Sequence, residues 1–80
     1  MKIKAKVAAA EKVAISTEFI KLDSFLKYVN LVMSGGEAKM LIADGEVRVN
    51  GEVCDMRGKK IRPGDKVSCL GKVYEVTDEG

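Results

Sequence analysis

Side chains capable of acid–base or nucleophilic chemistry are few in this chain, and their contexts disfavour catalysis. The chain has no histidine, which is the commonest general base in enzymes. None of the four serines has an evident base partner, and Ser34 is explained as a helix cap. The carboxylates of Glu37, Asp44 and Asp65 fall at capping or turn positions. We therefore expect no enzymatic activity.

The two cysteines, Cys54 and Cys69, match neither a CxxC motif nor the spacing of a metal knuckle. Without histidine, a zinc site would need carboxylates together with distant thiols. A disulfide is disfavoured in a reducing cytosol. We interpret both residues as small buried or half-buried thiols, and we expect neither a metal nor a cofactor.

Residues 34–39 have a pattern that could bind an anion. Ser34 and Glu37 form a capping box, which predicts that a helix begins here. Gly35 and Gly36 leave the first backbone N–H groups open to close approach, and the positive end of a helix suits phosphate. Lys39 follows one turn later, on the side away from the predicted core. The glycine pair is too short for a nucleotide phosphate loop.

The cations elsewhere in the chain matter through their distribution, because the net charge is only +2. Residues 57–62 contain four cations in six positions. A phosphate-binding patch would form if one face gathered Lys21, Lys27, Lys39, Arg48, Lys59 and Lys60. The alternative is that each of these side chains is a solubilising surface residue.

Two further side chains have more than one interpretation. Met40 is apolar on the outer side of the second predicted helix, where the N-terminal arm could cover it or a ribose or base could pack against it. Tyr28 falls at a helix edge. It could stack on a base, or it could be an amphipathic tyrosine at the edge of the core.

Apolar spacing predicts two neighbouring helices. The first covers about 22–30, because Leu22, Phe25, Leu26 and Val29 fall within one arc of roughly 100°. The second runs from the capping box through residue 43, and the Asp-Gly pair that follows ends it. A connection of about four residues makes the two helices neighbours in space.

Strands are predicted on both sides of the helices. One covers 13–20, and after residue 45 the apolar period changes from 3.6 to 2. Asn50-Gly51 predicts a hairpin, and Arg62-Pro63-Gly64-Asp65 predicts a type II turn. Two more strands are predicted at 66–70 and 72–76. The predicted fold class is α+β, with two packed helices followed by a small, twisted, mostly antiparallel sheet.

The length of 80 residues predicts one domain. We place it at 13–80, after an arm at 1–12 that carries both strand and helix signals. Lys2, Lys4 and Lys6 interrupt any apolar stretch of a secretory signal. No apolar run approaches the ~18 residues that cross a bilayer. We expect a cytoplasmic protein without membrane contact.

Four sequence blocks, spanning about 21–67, together resemble the S-four RNA-binding domain, named after the fourth protein of the small ribosomal subunit. The blocks are Lys21-Leu22-Asp23-x-Phe25-Leu26, Ser34-x-x-Glu37-Ala38-Lys39-x-Leu41-Ile42, Gly45-x-Val47-x-Val49-Asn50-Gly51 and Lys60-Ile61-x-Pro63-Gly64-Asp65. The glycine-rich form of the second block is similar to the short bacterial stand-alone branch, the YaaA-like or YbcJ-like group.

The resemblance implies an αL-type RNA-binding fold and recognition of structured RNA, mostly ribosomal or transfer RNA, by the two helices and the adjoining loop. Lys21 and Lys39 stand where the family usually has arginine. Gly35 stands where many members have another arginine, so one expected phosphate contact is missing.

We therefore expect a non-catalytic monomer that binds structured RNA by shape, in ribosomal RNA or a ribosomal subunit. The alternative is a protein-interaction adaptor that kept the fold without RNA binding, with Met40 and its neighbours as the contact surface. The expected RNA-binding residues are Lys21, Lys27, Ser34, Gly35, Gly36, Lys39, Met40, Arg48, Lys59 and Lys60.

Overall fold

The computed structural model describes residues 10–79, and these form two helices and seven short strands. In chain order the elements are β1 Glu11–Ile15, β2 Ile20–Lys21, α1 Leu22–Tyr28, α2 Gly35–Ala43, β3 Val47–Val49, β4 Glu52–Val53, β5 Lys60–Ile61, β6 Lys66–Cys69 and β7 Lys72–Asp78. Most of the arm expected at 1–12 lies outside the described residues. Its last two residues, Glu11 and Lys12, begin β1.

Both helices end in the same hydrogen-bonded motif. After α1, Asn30 adopts a positive φ of 62°, and its N–H donates to the carbonyl of Lys27 while that of Leu31 donates to Leu26. After α2, Gly45 has a φ of 77°, and the same pair of bonds forms: the N–H of Gly45 donates to the carbonyl of Ile42, and that of Glu46 donates to Leu41. This is the Schellman arrangement. It ends α1 at Tyr28, two residues before the predicted end, because Asn tolerates the left-handed conformation.

The predicted start of α2 is confirmed. Ser34 Oγ accepts a hydrogen bond from the backbone N–H of Glu37 at 3.3 Å. The Glu37 carboxylate accepts in return from the N–H of Met33 at 2.6 Å, one residue earlier than in the standard capping box. Each bond gives an acceptor to a backbone N–H group that has no acceptor within the helix.

The strands form one five-stranded sheet in the order β1-β7-β6-β3-β4 and a separate two-stranded ribbon of β2 and β5. All pairs are antiparallel except β1 with β7. The predicted α+β class is confirmed, but the single strand expected at 13–20 is wrong. The chain bends after Ile15, where Thr17 Oγ1 donates to the carbonyl of Phe19 at 2.8 Å. Such local bonds compete with a strand ladder.

The core lies between the helices and one face of the sheet. Leu22, Phe25 and Leu26 of α1 are fully buried, as is Ala38 of α2. The sheet contributes the residues that alternate inward, namely Val47, Val49, Val67, Cys69, Tyr74 and Val76. The predicted hairpin turn is also confirmed, because Asn50 and Gly51 have φ values of 54° and 88°, as a type I′ turn requires.

Candidate nucleic-acid interface

Two lysines face each other across the β2–β5 ribbon at the start of α1. Lys21 is the register partner of Lys60, and both side chains are exposed. Directly opposed residues in an antiparallel pair have Cβ atoms about 4.5–5.5 Å apart, and like charges there are destabilising. The ribbon therefore carries two lysines at directly opposed positions.

The loop before β5 is fixed against the same point of the fold. The backbone N–H of Leu22 donates to the carbonyl of Lys59 at 2.9 Å, and that of Asp23 donates to the carbonyl of Arg57 at 3.1 Å. The first two amides of α1 are thus satisfied by this loop rather than by a side-chain cap. As a result, the backbone of the loop that carries Arg57 and Lys59 is fixed next to the ribbon.

We call Lys21, Arg57, Lys59 and Lys60 the basic cluster. Lys60 Nζ also lies 4.9 Å from the centroid of the Phe19 ring, a cation–π distance. Within residues 10–79, none of these four side chains is ion-paired with a carboxylate. Arg57 was not among the RNA-binding residues expected from the sequence, although it belongs to the run of cations at 57–62.

A second group of the expected residues lies at the start of α2. Gly35 and Gly36 are exposed, and a Cβ added to Gly35 would meet no atom within 4 Å. Lys39 is exposed one turn later. The Ser34 hydroxyl oxygen is already occupied as the helix cap. Helix α1 contacts both α2 and the ribbon, and it connects the two groups.

Arg48 lies apart from these groups, and Lys27 lies on the helix between them. Arg48 pairs with Ser68 and Val53 in the sheet. Because its neighbours along β3 are buried, its side chain projects from the face opposite the core. Lys27 is exposed in the last turn of α1. The structure therefore does not join Arg48 to the helix face on which the sequence pattern grouped it.

Met40 has apolar and acidic surroundings. It lines a groove of about 330 Å³ with Leu31, Val32, Glu37, Leu41, Asp44 and Leu70. The side chain is 66% exposed. No lysine or arginine of the described residues lines this groove, so its electrostatic character differs from that of the basic cluster.

Tyr28 has a structural partner. Its hydroxyl donates a hydrogen bond of 2.9 Å to the carbonyl of Ala14, which attaches α1 to β1. The ring is 54% exposed. The hydrogen bond favours the interpretation of Tyr28 as a core-edge tyrosine.

The described residues contain little else that points to chemistry. No group of three or more His, Cys, Asp or Glu in this part of the chain could hold a metal ion. Burial, aided by the charge of Glu46, raises the pKa of the Cys69 thiol, which lowers its reactivity. No helix within residues 10–79 has the length and apolarity to cross a membrane.

Two helices packed on a small mixed sheet, with a basic ribbon and loop at the start of α1, define an α+β module. The family model described as S4 domain matches residues 13–77. The chain therefore belongs to the S4 domain family, as its sequence blocks indicated.

Individual relatives agree with this assignment. The chain is 42% identical over 62 residues to the probable ribosome maturation protein RlbA of Bacillus subtilis (strain 168), covering 78% of this chain and 87% of that protein. The solution structure of YbcJ from E. coli is similar, with a TM-score of 0.66 and 28% identity over 94% of this chain and 96% of that one. The YbcJ structure revealed an αL motif involved in RNA binding.

A third similarity concerns the fold alone. The trimeric structure of Vibrio cholerae heat shock protein 15 has a TM-score of 0.60 and 20% identity. The similarity covers 68% of this chain and 54% of that protein, so this chain corresponds to about half of its length.

Proposed function

We propose that this protein is a non-catalytic RNA-binding module that recognises structured RNA, in ribosomal RNA or a ribosomal subunit. The basic cluster supplies the main phosphate contacts, and Lys39 with the exposed backbone at Gly35 and Gly36 extends the surface along α2. Lys27, Ser34 and Arg48 stay in the wider predicted set, whereas Met40, also predicted from the sequence, lies in a groove whose charged lining residues are acidic.

The opposition of Lys21 and Lys60 is the observation that carries this proposal. Two like charges at a cross-strand pair cost stability, and no carboxylate of the described residues offsets them. A phosphate bound between them would turn that repulsion into attraction. The carbonyls of Arg57 and Lys59 are committed to α1, so the loop is positioned before RNA arrives, which reduces the ordering cost of binding.

The relatives support the substrate class. YbcJ has a motif involved in RNA binding, and RlbA is named as a probable ribosome maturation protein. The described surface has few exposed aromatics, so shape and phosphate recognition suit it better than base stacking. Neither a cofactor nor a second subunit is needed for this mode of binding, and light scattering tests the expectation of a monomer.

The test is RNA binding by the full chain at two salt concentrations. Lys21→Gln with Lys60→Gln should weaken binding to ribosomal RNA at least about tenfold and reduce the slope of log affinity against log salt by about 1–2. The matched control is Lys66→Gln with Lys72→Gln, which removes the same charge from exposed positions of β6 and β7. Equal loss in both double variants would show non-specific attraction and contradict the assigned site.

A further inference from the structure

The groove beside α2 is bordered by a turn that contains an unfavourable residue. β6 and β7 are joined by Leu70 and Gly71, whose φ values are 54° and 80°, as in a type I′ hairpin turn. Asn, Asp or Gly suits the first of these positions, and a bulky residue with positive φ is an outlier. Leu70 nevertheless occupies it, with 56% of its surface exposed.

Burial within the fold does not account for Leu70. Its side chain forms one wall of the groove, opposite Met40 and Leu41 of α2. Residues held in strained backbone conformations cluster at ligand-binding and switch sites. The strained Leu70 in the β6–β7 turn and the exposed Met40 on α2 both line this groove. The two observations therefore indicate one binding surface.

The charges around the groove indicate what it binds. Glu37 and Asp44 are its charged lining residues, and they would repel an RNA phosphate. An exposed apolar surface with an acidic rim is complementary to a protein segment that carries apolar and basic side chains. Its volume of about 330 Å³ is at the lower end for ligand pockets and suits one or two side-chain anchors.

We infer that this groove is a docking site for an extended lysine-rich segment of a partner protein, with apolar anchors between Leu70 and Met40 and lysines facing Glu37 and Asp44. The site is distinct from the basic cluster. The inference does not depend on RNA binding, and it moves Met40 from the RNA surface to a protein surface.

The test uses a short fluorescent peptide in which lysine alternates with leucine, titrated into the full chain. Met40→Gln removes the apolar anchor without adding charge and should weaken binding at least about tenfold, equivalent to about 1.4 kcal/mol. The control Met56→Gln alters a methionine that is 59% exposed and lies outside this groove, and it should leave the affinity unchanged. Equal affinities of the two variants would overturn the inference.

Leu70→Asn separates a binding role from a structural one. Asparagine suits the turn, so this variant should melt at a higher temperature than the parent while its affinity for the peptide falls at least fivefold, the ~1 kcal/mol scale of one lost contact. A lower melting temperature, or unchanged peptide affinity, would show that Leu70 serves the fold and overturn the inference.

Residues 1–9 are a competing occupant, because Lys2, Lys4 and Lys6 alternate there with apolar residues. The methyl NMR signals of Met40 and Leu70 are therefore compared between the parent and a variant with all three lysines changed to glutamate. Unchanged signals are expected without peptide. A shift of both signals would assign the groove to the chain's own N-terminal residues and overturn the partner docking. Binding of an otherwise identical glutamate–leucine peptide with equal affinity would also overturn it.

Discussion

The side-chain amide of Asn50 donates a hydrogen bond of 3.1 Å to a carboxylate oxygen of Asp65, joining two turns that lie 15 residues apart. The Asn50 side-chain oxygen accepts from the N–H of Lys66 at 2.9 Å, and the second Asp65 oxygen accepts from the N–H of Arg62 at 2.9 Å. The hairpin turn after β3 and the turn before β6 are therefore held as one unit. This unit connects the end of β3 with the turn between β5 and β6.

Asp65→Ala should lower the free energy of unfolding by about 1–2 kcal/mol, because it removes two hydrogen bonds worth about 0.5–1.5 kcal/mol each. Chemical denaturation measures the change. The control is Asp55→Ala, at an exposed carboxylate of the loop before β5, which should alter stability by less than about 0.5 kcal/mol. If the two variants are equally stable, the bond between the turns contributes nothing.

The hairpin turn allows a clean test of backbone strain. A Cβ added at Gly51 meets no atom within 4 Å, yet the residue has a φ of 88°. Gly51→Ala should therefore destabilise the fold by about 1–2 kcal/mol through conformation alone. Gly58 is equally open but has no positive φ, so Gly58→Ala should be neutral or slightly stabilising. Equal melting temperatures for the two variants would refute the type I′ assignment.

Gly35 departs from the family pattern, and substitutions there test the effect of the missing arginine. Its position accepts a side chain without steric conflict, and many S4 domains carry arginine there. Gly35→Arg should strengthen binding to ribosomal RNA about threefold to tenfold by adding a phosphate contact. Gly35→Gln provides a side chain without the charge and should leave the affinity close to that of the parent. If Gly35→Gln strengthens RNA binding as much as Gly35→Arg does, the gain comes from a more stable helix α2 and not from a contact with phosphate.

Tyr28→Phe tests the attachment of α1 to β1. Loss of the hydroxyl leaves the Ala14 carbonyl without this donor and should reduce the free energy of unfolding by about 0.5–1.5 kcal/mol. RNA affinity should stay the same for Tyr28→Phe and also for Tyr28→Leu, in which stacking is lost. A clear loss of RNA binding in the leucine variant alone would restore the base-stacking interpretation.

Alkaline pH should destabilise the protein. Burial raises the pKa of Cys69, with a further effect of Glu46, and burial likewise raises the pKa of Tyr74, followed by the charges of Glu11 and Cys69. The unfolded chain releases these protons near about pH 8.5 and pH 10, whereas the folded chain retains them to higher pH. Stability is therefore fully present below those values and falls as the pH rises above them.

Denaturation at about pH 7 and about pH 10 measures this effect. Cys69→Ala removes the buried thiol from β6 and should reduce the loss of stability between the two pH values. A parent protein as stable at the higher pH as at the lower would contradict the prediction. Cys54→Ala serves as the matched control, because Cys54 is also a buried cysteine that forms no disulfide.

Local chemistry explains the features of the fold that could be predicted. The cap at Ser34, the turn at Asn50-Gly51 and the apolar face of α1 each depend on residues a few positions apart. Their backbone preferences hold in almost any context. The same reasoning failed at 16–19, where the β-branched pattern indicated a strand but the Thr17 hydroxyl bonds locally.

The sequence by itself determined the fold class, the helix start, the turns and the family, because these follow from short-range stereochemistry and ordered motifs. Only the tertiary structure decided that β1 pairs in parallel with β7, that Lys21 is opposed to Lys60, that the Arg57 carbonyl bonds to the start of α1, and that Leu70 and Met40 line one groove. These relationships join residues distant along the chain. Their proximity depends on how the whole core packs, which no local preference encodes.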